Sequence, residues 1–414
     1  MKFLILTQYF WPESFIINDI VKVLRTQGHE VVVATGKPNY PEGAIYSGYT
    51  SKGVQVETVF GDVKVMRIPL VPRGTASARS LLRNYLSFVW SGLRHFPKML
   101  RGTKFDAILV YAPSPITAAI PAIPLKWKTS AHLAIWVQDL WPQSLSATGF
   151  VRNRALLAIV GMLVRAIYAF ADTILVQSRA FVLPTSRYAG INKIEYFPNS
   201  TYDVLSDGLH MNPNLSDDLV DLMENNFCIV FAGNLGKAQS VETIIDAAER
   251  LRNFIEVYFV LVGSGSMRKW IEEEIEKKNI RNVFLSERVS SYEIHKIYKL
   301  ASGLLVTLKN EEIFSRTIPS KIQSYLAAGK PIIAALSGEG ARVVVEAGAG
   351  FVGPAEDVDS LVANVKRLYA ASEGERVAMG RAGRRYFLDN YEINSQCRNL
   401  VEILSCRITA KSGT

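Results

Sequence analysis

Short apolar runs rich in Val, Ile and Leu recur along the first half of the chain: Phe3–Thr7, Val31–Thr35, Val63–Ile68, Ala107–Tyr111, Leu133–Val137 and Thr173–Gln177. Runs that are apolar on successive positions predict strands buried on both faces of a parallel sheet. Between them, Phe15–Thr26, Leu81–Leu100 and Arg154–Phe170 carry helical spacing, and this alternation of strand and helix predicts a doubly wound α/β sheet. The stretch from Pro198 to Asn226 is polar, with little apolar periodicity, and reads as a linker. A second series then begins with strands Cys228–Ala232, Val257–Val262, Asn282–Leu285, Leu304–Leu308 and Pro331–Ala335. Helices are expected between them at Val241–Leu251, Met267–Lys278, Tyr292–Leu300 and Ser320–Ala328, so a second doubly wound domain follows. From Val358 to Cys406 the pattern is helical only. The expected division is a first α/β domain at 1–200, a linker at 201–226, a second α/β domain at 227–386, and a C-terminal helix at 387–414 that returns to the first.

The 414 residues suit two or three globular units, and 49% hydrophobic with 21% charged residues excludes wholesale disorder. Cys228, Cys397 and Cys406 are too few and too scattered for a disulfide framework or a zinc cluster, which suits a reducing compartment. The Phe3–Leu6 run breaks at Thr7 and Gln8, so the start of the chain reads as part of the fold and not as a leader. Neither long apolar stretch suits a membrane span: 107–127 holds four prolines, and 156–176 holds Arg165 and Asp172.

Charge is unevenly spread. The net +9 belongs to residues 1–212, with 22 Lys and Arg against 12 Asp and Glu, whereas residues 213–414 hold 25 against 26. From Arg79 to Lys128 there are eight basic residues and a single acid, Asp106, interspersed with Phe88, Trp90, Phe96 and Trp127. Basic and aromatic residues in one segment suit a lipid interface better than a nucleic acid, with Arg79, Arg83, Arg94 and Lys98 as the anionic-surface contacts. A solvated basic face over a buried Trp90 is the plainer alternative.

Ligands of open α/β sheets bind beyond the carboxyl ends of the strands, so loops after strands are where chemistry is expected. Gly233-Asn234-Leu235-Gly236-Lys237 follows the first strand of the second series and leads into a helix starting near Ser240. Glycines there admit an anion to the backbone, the helix start offers free N–H groups, and Lys237 adds a charge; a tight turn alone would also explain the glycines. Pro319-Ser320-Lys321 begins another helix, with Ser320 as a candidate cap. A lysine at a helix start is disfavoured by the dipole unless an anion compensates, so two such starts point to a diphosphate. Gly263-Ser264-Gly265-Ser266 lacks the spacing of a dinucleotide fingerprint because position 268 is Arg.

Those segments, with Phe231-Ala232-Gly233-Asn234, Phe284-Leu285-Ser286-Glu287-Arg288-Val289 and the run from Pro319 to Pro331, resemble the donor domain of a family 4 glycosyltransferase of the GT-B fold. Gln8-Tyr9-Phe10-Trp11-Pro12-Glu13, Gly28-His29-Glu30-Val31 and Trp136-Val137-Gln138-Asp139-Leu140-Trp141-Pro142 resemble the acceptor domain of the bacterial branch that builds O-antigen, capsule and colanic acid, nearest to WbuB-type N-acetyl-L-fucosaminyltransferases. The resemblance implies a UDP-sugar donor, a polyprenyl-diphosphate-linked N-acetylglucosamine acceptor, and a place on the cytoplasmic face of a bacterial membrane. It implies that Lys237, Ser320 and Lys321 hold the diphosphate, that Arg288 and Val289 read the uracil, and that Gly263 admits the nucleotide. Where the family has two glutamates around the Pro-Ser-Lys turn, this chain has Ser315 and Gln323; where it has Arg and Lys after the first strand, this chain has Asn234 and Gln239. Arg316 is expected to help neutralise the diphosphate. No Asp-x-Asp motif occurs, so neither a catalytic metal nor a cofactor is expected.

Transfer also needs a base for the acceptor hydroxyl. Asp139, just after the strand Leu133–Val137, is the first candidate, with a helix cap as its plainer role; Glu13 is the second, with a place in the first helical turn as its alternative. The family is retaining, whereas a lost acidic pair beside a placed carboxylate is what inversion through Asp139 requires; both outcomes stay open. The five histidines form no ligand-spaced pair. Two rivals remain at this stage: a non-hydrolysing UDP-sugar epimerase of the same fold, and a basic nucleic-acid-binding protein without chemistry. Oligomeric state is not legible.

Overall fold

A computed structural model describes residues 1–75, 77–147, 151, 153–203, 215–290 and 293–412. The chain forms two compact units, residues 1–199 with 393–414, and residues 200–392. In the first unit the elements are β1 (Lys2–Thr7), α1 (Ile16–Thr26), β2 (Glu30–Gly36), β3 (Gln55–Val59), β4 (Val63–Ile68), α2 (Ala78–Met99) and β5 (Ala107–Ala112). They continue through α3 (Ala122–Thr129), β6 (His132–Val137), α4 (Gln143–Ala147), α5 (Arg154–Phe170), β7 (Thr173–Val176), α6 (Val182–Ser186) and β8 (Ile194–Tyr196).

The second unit holds α7 (Asp217–Asn225), β9 (Phe227–Ala232), α8 (Val241–Arg250), β10 (Val257–Val262), α9 (Arg268–Lys278), β11 (Val283–Ser286), α10 (Glu293–Leu300) and β12 (Gly303–Thr307). It ends with α11 (Glu312–Ser315), α12 (Ser320–Ala328), β13 (Ile332–Ala335), α13 (Glu339–Glu346), β14 (Gly350–Gly353), α14 (Val358–Ala370) and α15 (Glu373–Asn390). The last helix, α16 (Ile393–Ser412), belongs to the first unit.

The first sheet has the order β3-β4-β2-β1-β5-β6-β7-β8, parallel throughout except for the antiparallel pair β3 and β4. Its central strands are apolar on both faces because helices cover both. Leu4, Leu6, Ile108 and Val110 face a cluster shared with Phe88 and Phe96 of α2, Leu125 of α3 and Val164 and Ile167 of α5. α16 packs on α1 and β6. Cys397, Leu400 and Leu404 recur there at three- and four-residue steps, so one stripe of the helix is buried. Chain order reverses at β1, between β2 and β5, a switch point at whose carboxyl end such sheets bind ligands.

The second sheet has the order β11-β10-β9-β12-β13-β14, with every pair parallel, and its switch point lies between β9 and β12. The stretch read as linker is partly ordered: Asp217–Asn225 is helical, with Leu219 and Met223 buried in the core of the second unit. Leu219, Leu222 and Met223 carry the helical spacing that the surrounding polar residues obscured. Residues 204–214 of that stretch lie outside the described residues. Three short strands carried too little apolar signal to be expected: β3 alternates Gln and Glu with Val, β8 has three residues, and β14 is bounded by glycines. The helical C-terminal stretch is three helices, and the return to the first unit begins at Ile393, after Thr201 pairs with Glu392.

Candidate active site

In the second unit, two strand-end loops are locked together by glycines. Gly233, after β9, has φ of 132°, and Gly263, after β10, has φ of 142°, a region that side-chain-bearing residues rarely adopt. A Cβ on Gly263 would fall 2.0 Å from the Gly233 carbonyl oxygen, so backbone meets backbone directly. Gly233 N–H donates to Val262 and Leu235 N–H to Ser264, each at 2.8 Å, and Met267 N–H donates to Leu235 at 2.9 Å. The loops border a cavity of about 410 Å³ whose wall includes Asn234, Arg288, Val289 and the two glycines. Ser264, Ser290, Ile294 and Tyr298 also line it and were not singled out by sequence. Tyr298 sits on α10 beside Tyr325, at a register that sequence alone reads as core.

Lys321, in the first turn of α12, reaches the same loops. A Cβ on Gly233 would lie 2.8 Å from Lys321 Cε, so this glycine also makes room for the lysine. The ammonium nitrogen lies 3.8 Å from the Phe231 ring centroid and donates to Gln239 Oε1. Burial pushes the Lys321 pKa down to about 7, since desolvation disfavours the charged form. The helix start adds its unpaired N–H groups. Backbone amides, a helix start and a desolvated lysine thus converge on one side of these loops, an arrangement chemically suited to an anion.

The remaining expected donor residues are placed less directly. Lys237 is exposed on the 3-10 turn Lys237–Gln239, and Ser240 follows it at φ 48° as the residue preceding α8. Ser320 does not cap α12: Pro319 occupies the cap position, and Ser320 is exposed in the first turn with no side-chain cap bond. Arg316 forms an ion pair with Glu312 on α11, and Ser315 Oγ donates to the Glu312 carbonyl at 2.9 Å. Gln323 is buried in α12 and is absent from the cavity wall. Lys237, Ser320, Arg316 and Gln323 do not line the cavity, because which way each side chain turns is set by local backbone and helix phase that sequence spacing gives only coarsely.

The first unit gathers its own polar group at the carboxyl edge of the sheet. Asp139 follows β6 and is largely buried. Desolvation raises its pKa, while the neighbouring Ser144 and Ser114 hydroxyls and the Leu140 amide oppose the rise. Tyr85, on the inner side of α2, feels both Asp139 and Arg73. Arg73, in the loop after β4, donates to Tyr9 Oη at 2.7 Å and lies 4.9 Å from the Tyr40 ring centroid. Its Nε is buried without a hydrogen-bond partner among the described residues. Sequence reasoning passed over Arg73 and the three tyrosines; the available signal was an arginine in a short loop directly after a strand.

Glu13 does something else. Its carboxylate accepts the backbone N–H groups of Asn39 and Tyr40, both at 2.8 Å, and of Phe10 at 3.0 Å. It is 1% exposed and precedes α1, so it joins the loops after β1 and β2 and neither reaches solvent nor sits in a helical turn. Desolvation nonetheless lifts its pKa to about 7, against those three amides and Arg67. Among the described residues, no group of three His, Cys, Asp or Glu side chains is placed to hold a metal ion, and His210 lies outside them.

Comparison with known proteins accords with this geometry. Residues 219–386 match the family described as glycosyl transferases group 1, and residues 15–200 match the glycosyl transferase 4-like domain. WcaI of Escherichia coli (strain K12), named as a glycosyl transferase of colanic acid biosynthesis, is 26% identical over 409 residues, covering 94% of this chain and 97% of its own. A sucrose-phosphate synthase from Thermosynechococcus elongatus is similar with a TM-score of 0.69 at 15% identity, over 99% of each chain. HepE of Anabaena, in complex with UDP, gives 0.67 at 14% identity, over 98% of this chain and 100% of its own. At such identities the structural likeness speaks for the fold alone.

Proposed function

Given a chain that is a GT-B glycosyltransferase of bacterial polysaccharide biosynthesis, built from a glycosyl transferase 4-like domain and a group 1 domain, we propose that it moves N-acetyl-L-fucosamine from a UDP-sugar to polyprenyl-diphosphate-linked N-acetylglucosamine. The reaction runs without a metal or cofactor, at the anionic inner face of the bacterial membrane, in O-antigen or capsule assembly. The observation that carries the donor half is Lys321: a lysine desolvated against Phe231, beside two positive-φ glycines at a helix start, is built to receive a diphosphate.

In this reading Lys321, the amides of α12 and the Gly233 loop neutralise the leaving UDP, with Arg288 and Val289 at the base. Lys237 and Arg316 act from the rim, Arg316 after exchanging Glu312 for phosphate, and Ser320 adds a hydroxyl. Asp139 takes the proton of the acceptor hydroxyl; a pKa raised by burial brings a carboxylate nearer to the working pH of a base. Arg73, with its free Nε, meets the acceptor's own diphosphate. Glu13 serves by holding the acceptor loops in place. The test is a donor screen on a synthetic polyprenyl-diphosphate N-acetylglucosamine in the presence of a chelator, with NMR of the new anomeric centre. Transfer from a UDP-sugar supports the reading and its stereochemistry reports inversion or retention; epimerised UDP-sugar without transfer, or no turnover until a divalent ion is restored, refutes it.

A further inference from the structure

On α2, Leu82, Leu86, Trp90 and Leu93 follow one another at four- and three-residue steps and are all exposed, Trp90 to 71%. Of the plainer alternative, a basic face over buried Trp90 and Phe88, the Trp90 part fails, while Phe88 is fully buried. α5 repeats the arrangement: Gly161, Val164, Ile167 and Tyr168 face the core, whereas Leu156, Ile159, Met162 and Leu163 face outward. Trp127 of α3 is 64% exposed and meets Phe170 of α5 edge-on, at 5.6 Å between centroids. Half of the exposed large apolar side chains among the described residues lie on these three helices. All three pack against the same face of the first sheet.

Their charge is as one-sided as their surface. α2, α3 and α5 contain no Asp or Glu and eight Lys and Arg. Lys126 is taken by Asp172, at 2.9 Å, and Arg165 donates to the Arg187 carbonyl. Arg79, Arg83, Arg94, Lys98, Lys128 and Arg154 remain exposed. Exposed apolar side chains and cations carried on the same acid-free helices complement a bilayer rich in anionic headgroups. A nucleic acid would use the cations and leave the leucines and methionine in water.

We propose that α5 is a second membrane-docking helix, which together with α2 and Trp127 lays this face of the first unit on an anionic lipid bilayer. This extends the membrane-surface reading given above, in which α2 alone was assigned, and rests on it. The contact is interfacial, because no helix among the described residues is long and apolar enough to cross a membrane. It has a consequence for substrate delivery: the helix whose outer side meets the lipid carries Tyr85 on its inner side, next to Asp139 and Arg73. A diphosphate at headgroup level therefore enters beside the base.

The full chain, the double variant Ile159→Ser with Met162→Ser, and Trp90→Ala are floated with phosphatidylethanolamine vesicles containing phosphatidylglycerol, and with phosphatidylcholine vesicles. UDP affinity serves as the check on folding. The wild type partitions onto the anionic vesicles, and both variants partition roughly tenfold less with UDP affinity unchanged. If the α5 variant binds vesicles like the wild type while Trp90→Ala does not, the second docking helix is refuted and the membrane reading stands. If the wild type fails to bind anionic vesicles, both fall. An α5 variant that keeps vesicle binding but loses a dimer in sedimentation velocity, or loses RNA binding, assigns the face to another partner and overturns the proposal.

Discussion

Lys321 gives its hydrogen bond to Gln239, a neutral side chain, across 82 residues of the chain. With Phe231 beneath it, the ammonium is oriented yet left without a counter-ion at that contact.

On the proposed role, Lys321 should gain a proton when UDP binds. Burial depresses its pKa from 10.5 to about 7, so at pH 8 it should be mostly neutral, and a bound diphosphate should restore the charge. Calorimetry at pH 8 in buffers of different ionisation enthalpy should report net proton uptake, and UDP affinity should fall as pH rises above 7. The sign for stability is opposite: the unfolded chain holds the proton up to pH 10.5, so the cost of burying Lys321 is relieved as pH rises from 7. Lys321→Met should lose about 1.5–3 kcal/mol of UDP binding without loss of stability at neutral pH. Unchanged affinity in that variant would remove the lysine from the site.

Gly263→Ala tests the closeness of the two loops. The added Cβ meets the Gly233 carbonyl at 2.0 Å, from a backbone of φ 142°. Strain and displacement should cost about 3 kcal/mol of stability in the second unit, with UDP binding lost alongside. Gly374→Ala, in open space, is the control and should unfold with the wild type.

Asp139→Asn should retain UDP affinity and lose transfer by about 10²–10⁴-fold. Because burial raises the carboxyl pKa above 3.8, the wild-type kcat/KM should fall on acidification at a pH above the ordinary carboxylate range. An asparagine variant with full activity would return Asp139 to a purely local role around α4.

Glu13 makes the first unit lose stability as the pH rises from mildly acidic to neutral. Its folded pKa of about 7 exceeds the ordinary 4.5, so the folded chain keeps a proton that the unfolded chain releases, and stability falls between those values as pH rises. Thermal unfolding followed from pH 5 to 8 should show this decline, and Glu13→Gln should abolish it. The glutamine can still accept from Asn39 and Tyr40 but turns an amide toward the Phe10 N–H, at a cost of about 1–3 kcal/mol. A wild type and variant with parallel pH profiles would contradict the assignment.

Much of the cavity wall in the second unit was legible because its residues are set by local sequence. Gly233, Asn234, Gly263, Arg288 and Val289 all sit in loops directly after strands and all reach one cavity. Lys321 was found from a charge at a helix start that the dipole disfavours. Glu13 was misplaced for the complementary reason. It also follows a strand, but its carboxylate turns inward to amides 26 and 27 residues away, which no local pattern reveals.

Apolar periodicity was enough to establish two parallel sheets and most of their helices, since burying a strand on both faces demands consecutive apolar residues wherever it occurs. Folding in three dimensions settled matters of facing and partnership: Trp90 outward and Phe88 inward, Gln239 against Lys321, Glu13 against the amides of Asn39 and Tyr40. Those choices depend on helix phase and on contacts between residues distant along the chain, where the free energy belongs to the pair and neither residue alone encodes it.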